Sequence, residues 1–253
     1  MKRIWFLLKQ NIKTALRFIF SFVSGGENCI ICGNTTYIYP VCKNCFNERF
    51  STKQLLTQTR CEICGKTLIS TKNICFQCRE NRVINNVELM LPLFSYRLWN
   101  KQMMFLWKAQ EIRCVSNMFA KILNDVLKQL SIKYIVPVPP RPGKIKKKGW
   151  DQIDELCNLL EYKYGYTILR LLERRTTKQQ KKLNRKGRLE QIGRAYFPLP
   201  QENINKICKN EIPDTVCLID DVCTTGATIE SCAQALKEVG IKKIQGITLF
   251  IVD

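Results

Sequence analysis

The sequence contains no histidine among its 253 residues. This absence excludes Ser–His and Cys–His nucleophiles as well as every histidine-containing metal site. Acidic residues are also scarce, with 21 Asp and Glu against 41 Lys and Arg. The net charge of +20 favours anionic partners such as phosphates, nucleic acid or an acidic membrane surface. Any chemistry must come from carboxylates, cysteines, hydroxyls, backbone amides or basic side chains.

Long apolar runs are missing too, which matters for the N-terminal segment, residues 1–24. Its apolar stretches are interrupted by Lys9, Lys13 and Arg17. Neither the apolar core of a signal peptide nor a membrane span can form there, and we expect a cytoplasmic protein. The segment predicts an amphipathic helix with a basic stripe and an apolar stripe. Packing against the protein's own domain is the favoured interpretation, and contact with a membrane surface is the alternative.

Cysteine, in contrast, is abundant, and eight of the 14 cysteines form four CxxC pairs. The pairs are Cys29 and Cys32, Cys42 and Cys45, Cys61 and Cys64, and Cys75 and Cys78. Their two spacings are nearly equal and indicate a duplication. Four thiolates without an open position are typical of structural zinc, which fits this spacing better than redox dithiols or an iron–sulfur cluster. We predict two structural Zn²⁺ ions, with the scheme by which the pairs share them left open.

From about residue 85 the pattern becomes one of alternating strands and helices. Strands are predicted over 89–96, 132–139, 215–219 and 244–252, and helices over 102–130, 151–164 and from the loop 220–226 to Val239. This order predicts an α/β fold, in which a parallel sheet carries helices on both faces. We therefore divide the chain into an N-terminal helix (1–24), a double four-cysteine module (25–84) and an α/β domain (85–253).

The stretch "CLIDDVCTTGAT" (217–228) combines a buried strand, two acidic residues and a loop of small and hydroxyl residues. Its candidate ligand-binding residues are Asp220, Asp221, Thr224, Thr225, Gly226, Ala227 and Thr228. Parallel sheets bind ligands at the carboxyl ends of their strands. Loop amides and a helix N-terminus can hold a phosphate there, while the carboxylates suit neighbouring sugar hydroxyls. An ordinary capped turn does not account for the paired acids.

This stretch resembles the ribose 5-phosphate loop of type I phosphoribosyltransferases, which bind phosphoribosyl pyrophosphate (PRPP). The chain has no competing Walker-type GxxxxGK[ST] motif. The resemblance implies a type I phosphoribosyltransferase-like sheet and binding of PRPP or another ribose 5-phosphate ligand. It also implies that 224–228 hold the 5′-phosphate and that Asp220 and Asp221 hold the ribose hydroxyls, with Mg²⁺.

Residues 25–253 further resemble the ComF family (competence protein F, related to GntX), which joins a four-cysteine zinc module to a phosphoribosyltransferase-like domain. The matching residues are "VPVPPRPGKIKKKGWDQ" (136–152), then Thr177, Gln180, Leu183 and Arg188, then Gln191, Ile192, Ala195 and Tyr196. The sequence departs from the family pattern at Lys148 (Arg), Trp150 (Phe), Asp151 (Asn) and Gln191 (Asn). The resemblance implies a role in DNA uptake during bacterial transformation.

Basic residues concentrate in 141–188, which carry 15 Lys or Arg and 5 Asp or Glu. Such side chains offset the charge that develops on a pyrophosphate leaving group. We hypothesise that pyrophosphate or nucleic acid contacts Arg141, Lys144, Lys146, Lys147 and Lys148. A catalytic lid would carry Thr177, Gln180 and Arg188.

Two functions follow from this sequence. In the first, the protein binds PRPP and transfers phosphoribose to an amine or base, with the acceptor left open. In the second, it is a non-catalytic module that binds single-stranded DNA or a DNA-uptake helicase through its zinc module and basic loops. Trp150 beside four lysines would then offer base stacking next to phosphate contacts.

Overall fold

A computed structural model describes residues 2–53, 55–69, 72–175 and 195–252. The helices are α1 (Lys2–Val23), α2 (Lys43–Arg49), α3 (Phe76–Glu80), α4 (Leu98–Lys108), α5 (Val115–Gln129), α6 (Lys144–Lys148), α7 (Gln152–Tyr164), α8 (Gln201–Cys208) and α9 (Ala227–Glu238). The strands are β1 (Glu27–Asn28), β2 (Thr35–Thr36), β3 (Leu89–Ser95), β4 (Tyr134–Pro137), β5 (Thr167–Ile168), β6 (Leu172–Arg174), β7 (Tyr196–Pro198), β8 (Thr215–Cys223) and β9 (Lys243–Ile251).

The chain forms two compact units, each assembled from separated stretches. The first contains Met1–Gln58, Tyr96–Ser131 and Glu155–Tyr166, and the second contains Thr59–Ser95, Ile132–Asp154 and Thr167–Asp253. Each unit holds one of the two four-cysteine groups. The predicted division after residues 24 and 84 follows the order of motifs along the sequence and stays a prediction.

The second unit is built on a five-stranded parallel sheet with the strand order β3-β9-β8-β4-β5. β8 is its central strand, and Ile219 lies level with Pro137 on β4 and Ile247 on β9. Helix α9 follows β8 and buries Ile229 and Leu236 completely. The structure confirms the predicted α/β class with a parallel sheet.

Two predicted boundaries near the central strand and the long helix are wrong. β8 continues to Cys223, because β9 extends the ladder and pairs Asp220 with Thr248 and Cys223 with Ile251. The predicted helix over 102–130 is two helices, since the amides of Ala109 and Gln110 both donate to the carbonyl of Phe105 and end α4. Glu111 follows with a left-handed φ of 57°. No glycine or proline marks this break in the sequence.

A buried carboxylate organises the first unit. Glu155 is 3% exposed and accepts hydrogen bonds from Gln10, Arg113 and Ser116 at 2.5–3.0 Å. The indole of Trp107 in turn donates to the Ser116 hydroxyl at 2.8 Å. Because a buried charge is stable only when it is paired, this network fixes α1, α4 and α5 to α7 within the unit.

Candidate functional site

The eight CxxC cysteines form two separate groups of four, and within each group all Sγ atoms lie within 4.8 Å of one another. The first group is Cys29, Cys32, Cys42 and Cys45, and the second is Cys61, Cys64, Cys75 and Cys78. Neighbouring pairs along the sequence therefore share one site, which answers the open question of the pairing scheme. Four sulfur atoms at this separation can hold one tetrahedral ion.

Both groups are built in the same way. The first CxxC pair lies on a tight turn, where the amides of Gly33 and Gly65 donate to the carbonyls of Cys29 and Cys61 at 2.9 Å. The second pair begins a short helix, α2 or α3. In each group, a backbone amide of the second pair donates a hydrogen bond to a sulfur atom of the first pair. The amide of Cys42 donates to Cys29 Sγ at 3.3 Å, and the amide of Cys75 donates to Cys61 Sγ at 3.4 Å. The duplication in the sequence is thus a duplication in structure.

The thiols of each group differ in how readily they ionise. Burial opposes ionisation of Cys29, but hydrogen bonds from backbone amides outweigh it and lower its pKa to about 6. The same balance lowers the pKa of Cys61 to about 7. Burial and neighbouring thiols raise the pKa of Cys45, and they raise that of Cys78 to about 12. Neighbouring thiolates repel one another, and a bound cation offsets this repulsion; Zn²⁺ fits a donor set of four sulfur atoms.

The paired carboxylates lie on the last part of the central strand. Asp220 Oδ1 accepts a hydrogen bond from the Asp221 amide at 2.8 Å, and Asp221 is 8% exposed. Thr224 and Thr225 follow as exposed loop residues, and Thr225 Oγ1 accepts from the amide of Ala227, the first residue of α9. The acids therefore lie within β8, whereas the sequence predicts them at the start of the loop, and α9 begins directly after the predicted loop.

Gly226 has a left-handed φ of 85° and is buried. A Cβ at this position would lie 2.6 Å from two side-chain carbons of Ile84. The backbone at this glycine thus approaches Ile84 closely, beside the loop.

Gln152 connects the paired acids to the basic segment, and the sequence analysis gave it no role. Its amide nitrogen donates to Asp221 Oδ2 at 2.8 Å, while its oxygen accepts from Lys144 Nζ at 2.5 Å. Lys144 also forms an ion pair with Asp151 at 2.6 Å. Asp151 in turn caps α7 by accepting from the amides of residues 153 and 154. Lys144 is therefore held inside this network, and its predicted contact with pyrophosphate or nucleic acid stays a prediction.

Tyr196 is a second residue that the sequence analysis left without a role. Burial raises the pKa of its hydroxyl, and Thr228 in the first turn of α9 opposes this rise to a smaller extent. The guanidinium of Arg174 lies 5.3 Å from the centre of the Tyr196 ring. The β6–β7 pair thus brings an aromatic hydroxyl and a cation close to the predicted 5′-phosphate loop.

The other predicted basic residues lie on a short helix, α6, or just before it. Lys146, Lys147 and Lys148 are exposed on α6, and Arg141 is exposed just before it. Gly143 and Gly149 flank α6 with left-handed φ values of 79° and 74°. Trp150, only 7% exposed, belongs to the core and presents no free face for base stacking.

A cleft of about 270 Å³ lies beside the loop within the second unit. Its lining includes Thr224 and Thr225 of the loop, Cys64 and Cys78 of the second cysteine group, and Phe76. Burial, followed by the charge of Asp220, raises the pKa of Cys223 at this cleft to about 11. Its thiol is therefore neutral at physiological pH.

The predicted lid residues Thr177, Gln180 and Arg188 lie outside the described residues, as do the matched positions Leu183, Gln191 and Ile192. Their predicted roles stay predictions.

These features define the class: an α/β protein with a five-stranded parallel sheet, a Thr-rich loop at the end of its central strand and two four-cysteine groups. The chain is similar over most of its length to competence protein ComFC of Streptococcus pneumoniae, with 24% identity over 245 residues, or 96% of this chain and 97% of the relative. It is 30% identical to competence protein F of Haemophilus influenzae over 114 residues, or 44% of this chain and 47% of the relative. No family model matches the chain. The two relatives support the ComF family.

Proposed function

We propose that this chain is a competence protein of the ComF type whose second unit binds PRPP. The observation that carries the proposal is the placement of Asp220 and Asp221 near the carboxyl end of the central parallel strand, shortly before the loop 224–226 and the N-terminus of α9. Ligands of open parallel sheets bind at this position. The two relatives are both named competence proteins, which supports the process in which the site would act.

Each part of the site suits one part of PRPP. The amides and hydroxyls of residues 224–228 would hold the 5′-phosphate, and the two carboxylates would hold the ribose hydroxyls together with the Mg²⁺ that accompanies PRPP. If the protein is an enzyme, an acceptor nitrogen forms a bond to C1 of the ribose as the bond from C1 to pyrophosphate breaks. Pyrophosphate leaves with the electron pair, and the acceptor loses its proton.

Calorimetric titration of PRPP with Mg²⁺ into the zinc-loaded protein tests the proposal. We expect binding that weakens at least tenfold in Asp220→Asn/Asp221→Asn, since each lost charge–hydrogen-bond contact is worth about 1.5–3 kcal/mol. The control variant Asp125→Asn/Asp214→Asn removes the same charge from two side chains that form surface ion pairs with Lys121 and Lys242. Absence of PRPP binding, or equal binding by the first variant, would refute the site.

A second function is supported by the exposed cations Arg141, Lys146, Lys147 and Lys148. We propose that they bind single-stranded DNA, or a helicase of the uptake machinery, with or without phosphoribosyl transfer. The positive charges of such a strip would contact the phosphate backbone of DNA whatever its base sequence. Binding through phosphate contacts is strongly salt-dependent.

A further inference from the structure

Helix α1 packs on the first unit through its polar side. Gln10 and Ser21 are the buried side chains there, at 7% and 4% exposed. Gln10 donates to Glu155 at 2.9 Å, and Arg17 donates to the carbonyl of Ile38 at 2.7 Å. The helix therefore packs against its own unit, as the sequence analysis favoured, but it uses the face that amphipathic helices usually turn to water.

The apolar side of α1 is consequently exposed. Eight large apolar side chains fall within an arc of roughly 120° when successive residues are placed 100° apart. They are Ile4 (72% exposed), Trp5 (64%), Leu8 (55%), Ile12 (51%), Leu16 (49%), Ile19 (54%), Phe22 (62%) and Val23 (81%). Single exposed apolar residues are common, but a continuous stripe of this kind marks an interaction surface.

The charges of α1 indicate what covers this stripe. The helix has five basic residues, Lys2, Arg3, Lys9, Lys13 and Arg17, and no acidic residue. Lys9 is exposed beside the stripe, and its ammonium lies 4.8 Å from the ring centre of Trp5. A tryptophan and a lysine at the edge of an apolar face are typical of helices that lie in a membrane interface.

A second copy of the chain fits this stripe less well. Pairing two α1 stripes would bring together two molecules that each carry a net charge of +20, with an exposed Lys9 at the edge of each stripe. The same charges are favourable against an anionic surface, where each basic residue contributes about 1 kcal/mol.

We propose that α1 lies flat on an anionic lipid surface, with its apolar stripe at the boundary of the acyl chains and the exposed Lys9 at the edge of the stripe among the headgroups. The helix does not cross the bilayer: among the described residues, no helix is both long and apolar enough to do so. The partner is thus a lipid surface of negative charge, and it is distinct from the PRPP and DNA ligands proposed above.

Vesicle flotation with the full zinc-loaded chain tests this proposal. We expect binding to phosphatidylcholine vesicles that contain about 30% phosphatidylglycerol, and at least tenfold weaker binding to vesicles of phosphatidylcholine alone. The variant Ile12→Gln/Ile19→Gln removes two side chains from the centre of the stripe and should weaken binding to anionic vesicles at least tenfold. The control Asn11→Gln/Ser24→Gln changes two exposed polar residues and should stay within about twofold.

Two results would overturn the proposal: no binding of the unaltered chain to anionic vesicles, or equal binding by Ile12→Gln/Ile19→Gln. A third, measured by light scattering without vesicles, is a dimer that this variant dissociates, because the stripe would then be covered by a second copy. Circular dichroism and zinc content establish that both variants are folded.

Discussion

Gly33 and Gly65 form a matched pair in the two cysteine groups. Both have a left-handed φ, 77° and 70°, and both follow the second cysteine of a CxxC pair. A Cβ on Gly33 would meet nothing within 4 Å, whereas one on Gly65 would lie 1.9 Å from the carbonyl oxygen of Met90. We expect Gly33→Ala to lower the free energy of unfolding by about 1–2 kcal/mol, through backbone strain alone. Gly65→Ala should lower it by about 4 kcal/mol or more, because the added Cβ also collides with the backbone of β3.

Urea unfolding followed by circular dichroism, with zinc in excess, measures both changes. Equal midpoints for the two alanine variants would mean that the contact between Gly65 and β3 is absent in solution.

The hydrogen bond from Gln152 to Asp221 gives a second prediction at the residue scale. Gln152 is 8% exposed, and its removal takes a donor from a buried carboxylate. We expect Gln152→Ala to destabilise the protein by about 1–3 kcal/mol. Gln129→Ala, which removes an exposed hydrogen bond to the Asp125 carbonyl, should stay within about 0.5 kcal/mol. Equal changes in the free energy of unfolding would contradict a special role of Gln152.

At this scale the sequence identifies residues that are neighbours along the chain. The run from Asp220 to Thr228 carries its own pattern, so the acids, the loop and the helix start could all be predicted. Gln152 and Tyr196 could not, because their contacts with Asp221 and Thr228 join residues that are far apart in sequence.

At the scale of elements, we expect α2 and α3 to depend on a bound metal ion. They are 7 and 5 residues long, too short to be stable in isolation, and each begins at a cysteine of the site. We expect elemental analysis to find two zinc ions in the intact chain. Cys45→Ser and Cys78→Ser should each retain about one ion, because the two groups lie in different units and share no ligand.

The control for this prediction is Cys208→Ser, which alters a buried cysteine outside both groups and should retain two ions. Loss of both ions from either single-site variant would show that the two groups depend on each other.

The elements themselves were largely predictable, and their ends were not. Asp151 and Gly165 mark the two ends of α7 as the sequence indicates, through an N-cap and a left-handed residue. The end of β8 and the break after α4 depend on pairing with β9 and on backbone hydrogen bonds at Phe105, neither of which has a local sequence signal.

At the scale of the whole molecule, the sequence predicts three consecutive segments, while the compact units interleave distant stretches of chain. This arrangement has no signature in composition or periodicity, since it depends on which helices pack together. Burial of Glu155 under three donors from two distant stretches, Gln10 in one and Arg113 and Ser116 in the other, is an example.

The net charge of +20 is also a property of the whole molecule. A pair of variants separates its general effect on oligonucleotide binding from the effect of the lysines on α6. Lys146→Ala/Lys147→Ala/Lys148→Ala removes three exposed charges from α6. The control Lys237→Ala/Lys242→Ala/Lys243→Ala removes three at the opposite, amino-terminal end of β9. Both variants have the same net charge, so any difference between them is positional.

We expect only the α6 variant to bind a single-stranded oligonucleotide with a lower salt dependence. Each lost phosphate contact lowers the slope of log affinity against log salt by about 0.7, so three contacts lower it by about 2. Fluorescence anisotropy between about 50 and 200 mM salt measures the slope. The same variant should raise the dissociation constant of PRPP if these lysines contact pyrophosphate. A change in oligonucleotide binding without a change in PRPP binding would assign the strip to nucleic acid, and equal slopes for the two variants would reduce its role to general attraction by a basic protein.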